Sequence, residues 1–255
     1  MNTLQAYLVV DNSFLVMLTD FFCAELAGRM TPERVLSELG QRLCAQIDIL
    51  RRFAVGSCVY CSDQVAGEFK PWHSERITAL GKIPFPRKQD LAAAVTAELV
   101  RRPVEEVYFD ILRSQPDAPR RLVGPNGLSN EDLSLIMVGI ELTANGQPVY
   151  VLSNDQDLLE FTTWLRRKPE ARELWPEIGQ LNGLHCLTYL ELVHRSCHIS
   201  TDLIRNLINF YIRDHYSRHE LVGTSKGESI LEQLLSTYSS LTKSAEIKAK
   251  QGAAA

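Results

Sequence analysis

Acidic side chains follow two apolar strands of this sequence, each at the point where the strand ends. Asp11 comes directly after the apolar run "AYLVV", and Asp155 follows "VYVLSN". In an open parallel sheet, ligands bind beyond the carboxyl ends of the strands, so we expect both carboxylates on the same edge. Two further acids lie on predicted helices, Glu68 on the helix after "CVYCS" and Asp132 in the first turn of its helix. If those helices also start at that edge, four carboxylates converge.

Converged carboxylates repel one another, and their pKa values rise unless a cation neutralises them. A ligand set made only of oxygen atoms favours a hard ion, Mg²⁺ or Mn²⁺, over zinc or copper. Such an ion, or a pair of them, activates water and stabilises the charge on a phosphoryl group during transfer. One interpretation of the acids is therefore metal-assisted chemistry on a phosphate ester.

A second interpretation of the same residues is purely structural. Asp and Asn at strand-to-helix junctions commonly cap helices, where a charge near the helix dipole contributes about 0.3–1 kcal/mol. Asp11, Asp132 and Asp155, taken one at a time, all fit this role. Glu68 fits it less well, because it lies inside a predicted helix beside the apolar Phe69. The residues alone leave both interpretations open.

The predicted elements alternate between strands and helices. Short strands are predicted in "YLVV", "SCVYCS", "PVYVL" and "GLHCL", whereas the segment 87–102 is predicted to be helical throughout. This alternation indicates a three-layer α/β/α fold in which a central parallel sheet is covered on both faces. From residue 199 the pattern changes to two amphipathic helices with no strand between them. We therefore predict a domain at 1–198 and a helical extension with a disordered tail at 199–255.

Composition and hydropathy narrow the choice of compartment. The 255 residues carry a formal net charge of −4, which does not by itself indicate a polyanionic partner. The apolar N-terminus lacks the basic segment and cleavage site of a signal peptide. No uncharged apolar run reaches the length of about 18 residues that a membrane span needs. With six scattered cysteines and no export signal, we predict a cytoplasmic protein with reduced thiols and no membrane partner.

Five segments of the sequence, in order, resemble segments of the PIN-domain nucleases. Four of them carry the acids named above, and the fifth resembles the closing strand and helix of that domain. The segments are "YLVVDNSFLV", "VYCSDQVAGEF", "GLSNEDLSLIMVGIEL", "GQPVYVLSNDQDLLEF" and "GLHCLTYLELV". The resemblance covers residues 5 to about 195, and no position that carries an acid in the family lacks one here. The long separation of Asp11 from Glu68 and the helical extension depart from the compact toxin members of the family.

The resemblance implies a Mg²⁺- or Mn²⁺-dependent endoribonuclease that leaves 5′-phosphate and 3′-hydroxyl ends. It implies catalytic and metal-binding roles for four acids, Asp11, Glu68, Asp132 and Asp155. A fifth acid, Asp157, would complete the shell of the ion or hold a second ion. Three polar residues would orient the ligands or the scissile phosphate, namely Ser13, Ser153 and Asn154.

RNA is the substrate that the resemblance implies. The basic pair Arg120 and Arg121 lies in a loop before the helix of Asp132, where it could hold RNA phosphates with a steep dependence on salt. The resemblance also admits an inhibitor or antitoxin-like protein as a partner. A homodimer is compatible with the family as well, and the amphipathic helices at 200–240 could supply its surface.

Two other functions compete with this prediction. The first is a non-catalytic PIN-like scaffold that binds RNA or a protein partner, which the complete set of acids disfavours. The second is a phosphatase of the haloacid dehalogenase type, which also begins with an Asp after a strand. Its chemistry needs a second Asp two residues later, and this sequence has Ser13 there.

Overall fold

A parallel sheet, with five strands among the described residues, forms the centre of the protein. The structure is a computed structural model that describes residues 5–26, 28–71, 75–80, 83–115, 118–124, 127–167 and 181–187. The strands are β1 (Ala6–Val10), β2 (Ala54–Ser62), β3 (Val100–Arg102), β4 (Val149–Leu152) and β5 (Leu184–Leu187). Their order across the sheet is β3-β2-β1-β4-β5, and each neighbouring pair is parallel.

Helices connect and cover these strands. In the first half of the chain they are α1 (Asn12–Leu26), α2 (Pro32–Arg51), α3 (Asp63–Glu68), α4 (Glu75–Ala79) and α5 (Phe85–Ala97). In the second half they are α6 (Val107–Arg113), α7 (Arg120–Val123), α8 (Asn130–Thr143) and α9 (Gln156–Arg166). A 3₁₀ turn at Leu181–Gly183 leads into the last strand.

The sheet is built outward from β1 in both directions. The strands β2 and β3 extend it on one side, and β4 and β5 extend it on the other. Because crossovers between parallel strands are right-handed, the two directions place their connecting helices on opposite faces. Helix α2 packs against β2 and α5, whereas α8 packs against β1, β2 and β4. The predicted α/β class, with helices over a parallel sheet, is confirmed.

The two central strands β1 and β4 are buried on both faces, which explains why their sequences are continuous apolar runs. Val9, Val10, Val151 and Leu152 have no exposed surface. Val9 and Val151 pack into one core cluster with residues of α8 such as Ile136. This packing fixes the ends of β1 and β4 side by side, and polar residues follow directly after each of them.

The segment 87–102 is not helical throughout, so that prediction is wrong. Helix α5 ends at Ala97, and Val100–Arg102 forms the edge strand β3. The register pairs Tyr60 with Val100 and Ser62 with Arg102. Arginine is a good helix former, but such propensities are weak and pairing with a neighbouring strand overrides them. A strand of three residues is also too short to show an alternating pattern.

The C-terminal predictions fall outside the described residues. These are the helix after the closing strand, the boundary at 198, the extension at 199–255 and the dimer surface at 200–240. Among the helices that the structure describes, none is long and apolar enough to cross a membrane.

Candidate functional site

Asp11 lies where the two central strands of the sheet end side by side. Its backbone N–H donates to the carbonyl of Leu152 at 3.0 Å, which continues the pairing of β1 with β4. Its side chain is only 5% exposed. One carboxylate oxygen, Oδ2, accepts a hydrogen bond from Ser153 Oγ at 2.6 Å and another from Ser13 Oγ. Two hydroxyls from opposite sides of the strand junction therefore hold this buried carboxylate in place.

Ser13 and Ser153 also order the turn that follows β4. Ser13 Oγ accepts from the backbone N–H of Asn154 at 3.1 Å, and Ser153 Oγ accepts from that of Asp155 at 2.9 Å. The side-chain amide of Asn154 donates to Met17 Sδ at 3.2 Å. The two serines are thus in direct contact with Asp11, whereas Asn154 joins the network through its backbone.

Asp155 is the N-cap of α9. Its Oδ1 accepts from the backbone N–H of Asp157 at 2.7 Å and from that of Leu158 at 3.4 Å. Such a cap satisfies backbone donors that the first helical turn leaves free. Among the described residues, Oδ2 of Asp155 has no hydrogen-bond partner, so this second oxygen is open to another ligand.

Asp132 closes a capping box at the start of α8. Its backbone N–H donates to Ser129 Oγ at 3.1 Å, while its Oδ2 accepts from the backbone N–H of Ser129 at 2.9 Å. Burial raises the pKa of the Asp132 carboxyl to about 6; its hydrogen bonds with Ser129 oppose the rise, and repulsion from Asp11 and Asp155 adds to it. The cap and the acidic site therefore share one side chain.

Glu68 is the last residue of α3. Although the residue is exposed, neighbouring atoms displace part of its hydration. This desolvation, followed by repulsion from Glu131, Asp132 and Asp11, raises the pKa of Glu68 to about 7, and Lys70 opposes the rise. The carboxylate thus lies within the electric field of the acids at the strand ends.

The four acids form one electrostatic unit. Burial raises the pKa of Asp11, and repulsion from Asp155 adds to that effect against the hydrogen bonds from Ser13 and Ser153. Asp11 also contributes to the raised pKa values of Glu68 and Asp132. No cationic residue in the described ranges forms an ion pair with any of the four. The acids therefore repel one another, and a bound cation would relieve that repulsion.

Asp157 has a different environment from the other acids. Its Oδ1 accepts from Arg121 Nη1 at 3.1 Å, and the same guanidinium also pairs with Glu160 one turn further along α9. Arg121 is therefore engaged with two acids of one helix. Arg120 is exposed and makes no ion pair with a described residue.

The segment that carries both arginines lies between the first turns of two acid-bearing helices. Arg121 ties it to α9, and the backbone N–H of Leu128 ties it to the Leu122 carbonyl at 2.8 Å, just before the cap of α8. Gly127 makes this turn possible, because a Cβ there would meet the Leu122 carbonyl oxygen at 2.2 Å. The turn thus connects the segment of the two arginines to the start of α8, while Arg121 connects it to α9.

The acids fit a hard divalent cation in type and charge, but their side chains do not already form a coordination shell. In the part of the chain that the structure describes, no three residues among His, Cys, Asp and Glu are grouped closely enough to hold an ion. The carboxylates of Asp132 and Asp155 accept hydrogen bonds from backbone N–H groups at the starts of their own helices. The carboxylate of Asp11 accepts hydrogen bonds from two serines. Mg²⁺ usually keeps several waters and binds through one or two carboxylates plus substrate phosphates. A close protein cage of three ligands is therefore not required.

Two residues near the acids, Glu131 and Ser134, escaped the sequence analysis, whereas Ser129 is a helix cap that the sequence indicates. Ser129 forms the capping box with Asp132, and its Ser-x-x-Asp spacing is a signal that the sequence carries. Glu131 contributes to the field at Glu68. Ser134 binds Ser62 across 72 positions of the chain, a contact that no local pattern predicts.

No family model matches this sequence, and no curated protein or solved structure matches it. The chemistry of the site is therefore inferred from the residues of this chain and their geometry.

Proposed function

We propose that this protein is a metal-dependent endoribonuclease of the PIN-domain type. The observation that carries the proposal is the electrostatic unit of Asp11, Glu68, Asp132 and Asp155, which has no paired cation among the described residues. It lies at the carboxyl edge of a parallel sheet, where β1 and β4 run side by side and the strand order reverses. Ligands of open α/β sheets bind at such a reversal.

Asp11, Asp132 and Asp155 would hold Mg²⁺ or Mn²⁺, and Glu68 would complete the ligand set. A bound ion would supply an activated water and stabilise charge on the phosphoryl group. Asp157 joins this set only when its contact with Arg121 opens. Attack of water on phosphorus, in line with the P–O3′ bond, would break that bond and leave 5′-phosphate and 3′-hydroxyl ends on the RNA.

The other residues of the site orient these acids and the substrate. Ser13 and Ser153 hold Asp11 Oδ2, and their hydrogen bonds favour the ionised carboxylate against the effect of burial. Their second contacts, with the backbone after β4, fix the start of α9 and with it Asp155. Arg120 supplies a positive charge for an RNA phosphate beside the acids.

The test is cleavage of end-labelled structured and unstructured RNAs by the full chain with Mn²⁺, Mg²⁺ or EDTA. Asp11→Asn and Asp155→Asn remove one charge each, and the exposed Asp90→Asn on α5 is the matched control. We expect cleavage to require the metal, to be lost in both site variants and to persist in the control. Cleavage that survives EDTA and both site variants would contradict the proposal.

A second candidate is a non-catalytic scaffold that binds RNA or a protein partner. The capping roles of Asp132 and Asp155 favour it, because a structural role alone accounts for both side chains. Metal or RNA binding without turnover of any RNA, by a folded protein, would favour the scaffold over the nuclease.

A further inference from the structure

Two buried serines join the helix of Glu68 to the helix of Asp132. The hydroxyl oxygens of Ser62 and Ser134 are hydrogen bonded at 2.6 Å, and neither residue has exposed surface. Ser134 Oγ also donates to the carbonyl of Glu131 at 2.6 Å. A hydroxyl has one proton and a carbonyl only accepts, so a consistent chain runs from Ser62 through Ser134 to Glu131.

Ser62 occupies a junction of three elements. It is the last residue of β2 and the N-cap of α3, where its Oγ accepts from the backbone N–H of Val65 at 3.0 Å. Ser134 belongs to the same turn of α8 as Asp132. The serine pair therefore fastens the start of α3 to the acid-bearing end of α8.

Helix α3 depends on such attachments for its position. It has six residues, and a helix this short is not stable alone in water. Asp63 pairs with Arg101 at 2.8 Å, but both side chains are largely exposed, so solvent weakens this contact. Gln64 donates to the carbonyl of Val104 at 3.0 Å. Only the serine pair, of these three polar attachments, leads to α8, against which Val65 of α3 also packs in the core.

We propose that Ser134 is a positioning residue of the acidic site, which sets the spacing of Glu68 from Asp132 by fastening α3 to α8. The inference rests on the proposed function, since it assigns a task within the same site. Glu68 and Asp132 repel each other, and repulsion between their helices tends to separate them. The buried hydrogen bond opposes that separation, so its loss lets α3 move outward and takes Glu68 away from a bound cation.

The test compares Ser134→Ala with Thr143→Val in the full chain. Thr143 lies at the other end of α8, is 2% exposed and donates to the Ile140 carbonyl at 2.6 Å. Both substitutions remove one buried hydroxyl from the same helix, but only Ser134 reaches α3. The measurements are Mn²⁺ affinity by calorimetry, and kcat and KM for RNA cleavage.

For Ser134→Ala we expect Mn²⁺ affinity and kcat to fall about 10-fold, as when a residue that orients a metal ligand is lost. KM for RNA should change little, because the phosphate contacts remain. Thr143→Val should keep wild-type affinity and kcat. If Ser134→Ala is too unstable to purify, Ser134→Cys replaces it, because a thiol is both a weak donor and a weak acceptor.

Wild-type Mn²⁺ affinity and kcat in the Ser134 variant would overturn the inference, and so would equal losses in the Thr143 variant. The Asp11→Asn variant separates this failure from that of the proposed function. If Asp11→Asn abolishes cleavage while Ser134→Ala does not alter it, the nuclease stands and the positioning role falls. If the wild-type protein binds Mn²⁺ but cleaves no RNA, the nuclease falls and the Mn²⁺ affinities still decide the role of Ser134.

Discussion

Ser153 holds Asp11 across 142 positions of the chain, with its hydroxyl 2.6 Å from the buried carboxylate oxygen. The same hydroxyl accepts from the backbone N–H of Asp155 at 2.9 Å. One small side chain therefore links the acid that ends β1 to the acid that caps α9. Ser13, in the first turn of α1 just after β1, donates to the same carboxylate oxygen.

Ser153→Ala should weaken metal binding and lower stability together. Asp11 loses a donor to its ionised form, so its pKa should rise further and cation affinity should fall about 10-fold. The free energy of unfolding should fall by about 1–3 kcal/mol, because a buried hydrogen-bonded group loses its partner. Mn²⁺ titration and urea unfolding measure the two effects. The exposed Ser114→Ala is the control, and equal behaviour of the two variants would refute the role of Ser153.

Asp11→Asn should lower the pKa values of two other acids. Repulsion from Asp11 contributes to the raised values of Glu68, about 7, and Asp132, about 6, although burial is the larger cause in each. Without that charge both carboxyls should titrate at lower pH. Carboxyl carbon NMR in metal-free buffer measures the change. Unaltered titration of both groups in the variant would show that the acids do not share one field.

The stability of the metal-free protein should fall as pH rises through the range of these titrations. Glu68 and Asp132 have ordinary pKa values of 4.5 and 3.8 and folded values of about 7 and about 6. At pH values between the ordinary and the folded pKa, the folded state therefore binds more protons than the unfolded state. Stability falls with pH wherever the folded state binds more protons than the unfolded state. The urea midpoint in EDTA should therefore decrease from about pH 4 to about pH 7. Adding Mn²⁺ should reduce the decrease, and a midpoint that rises over this range would contradict the shared field.

Arg120→Ala and Arg121→Ala should differ in their effects on RNA binding. Arg120 has no ion pair with a described residue, whereas Arg121 is engaged with Asp157 and Glu160. Log affinity falls as log salt concentration rises, so the slope is negative. Arg120→Ala should make this slope less steep by about 0.7–0.9, because one phosphate contact is lost. Arg121→Ala should change the slope less. Filter binding to an uncleaved RNA at several salt concentrations measures both, and a larger change for Arg121 would reverse the assignment.

Gly127→Ala should disturb the turn that carries the arginines. A Cβ would lie 2.2 Å from the Leu122 carbonyl oxygen, and backbone cannot move aside as a flexible side chain can. We expect a loss of about 1–3 kcal/mol in unfolding free energy, typical of overpacking. Gly67 is the control, because a Cβ there meets nothing within 4 Å. Equal urea midpoints for the two alanine variants would show that the turn relaxes without cost.

The central strands were predictable, because β1 and β4 are buried on both faces and burial leaves continuous apolar runs in the sequence. The positions of Asp11 and Asp155 on the same edge follow from that pattern and from the parallel sheet, whereas the pairing of β1 with β4 is seen only in the structure. The edge strand β3 was not predictable, since its three residues pair with β2 only in the folded chain.

Contacts between distant segments account for what the sequence could not show. The hydrogen bond of Ser62 with Ser134 and the ion pair of Arg121 with Asp157 join residues separated by 72 and 36 positions. No local periodicity encodes such pairs. Helix caps and an acidic site also coexist here, because Asp155 caps α9 and Asp132 closes the capping box of α8, while Asp132 feels the charge of Asp155.

Asp155 is both the N-cap of α9 and a proposed metal ligand, and this double use has an evolutionary consequence. Asn caps helices about as well as Asp, and a single nucleotide change converts an Asp codon into an Asn codon. One mutation at Asp155 would therefore remove a proposed metal ligand and leave the start of α9 intact. If the proposed function holds, the activity would be lost without passing through a misfolded intermediate, and the inactive descendants would keep the fold. The same property makes Asp155→Asn a natural choice for trapping an uncleaved substrate.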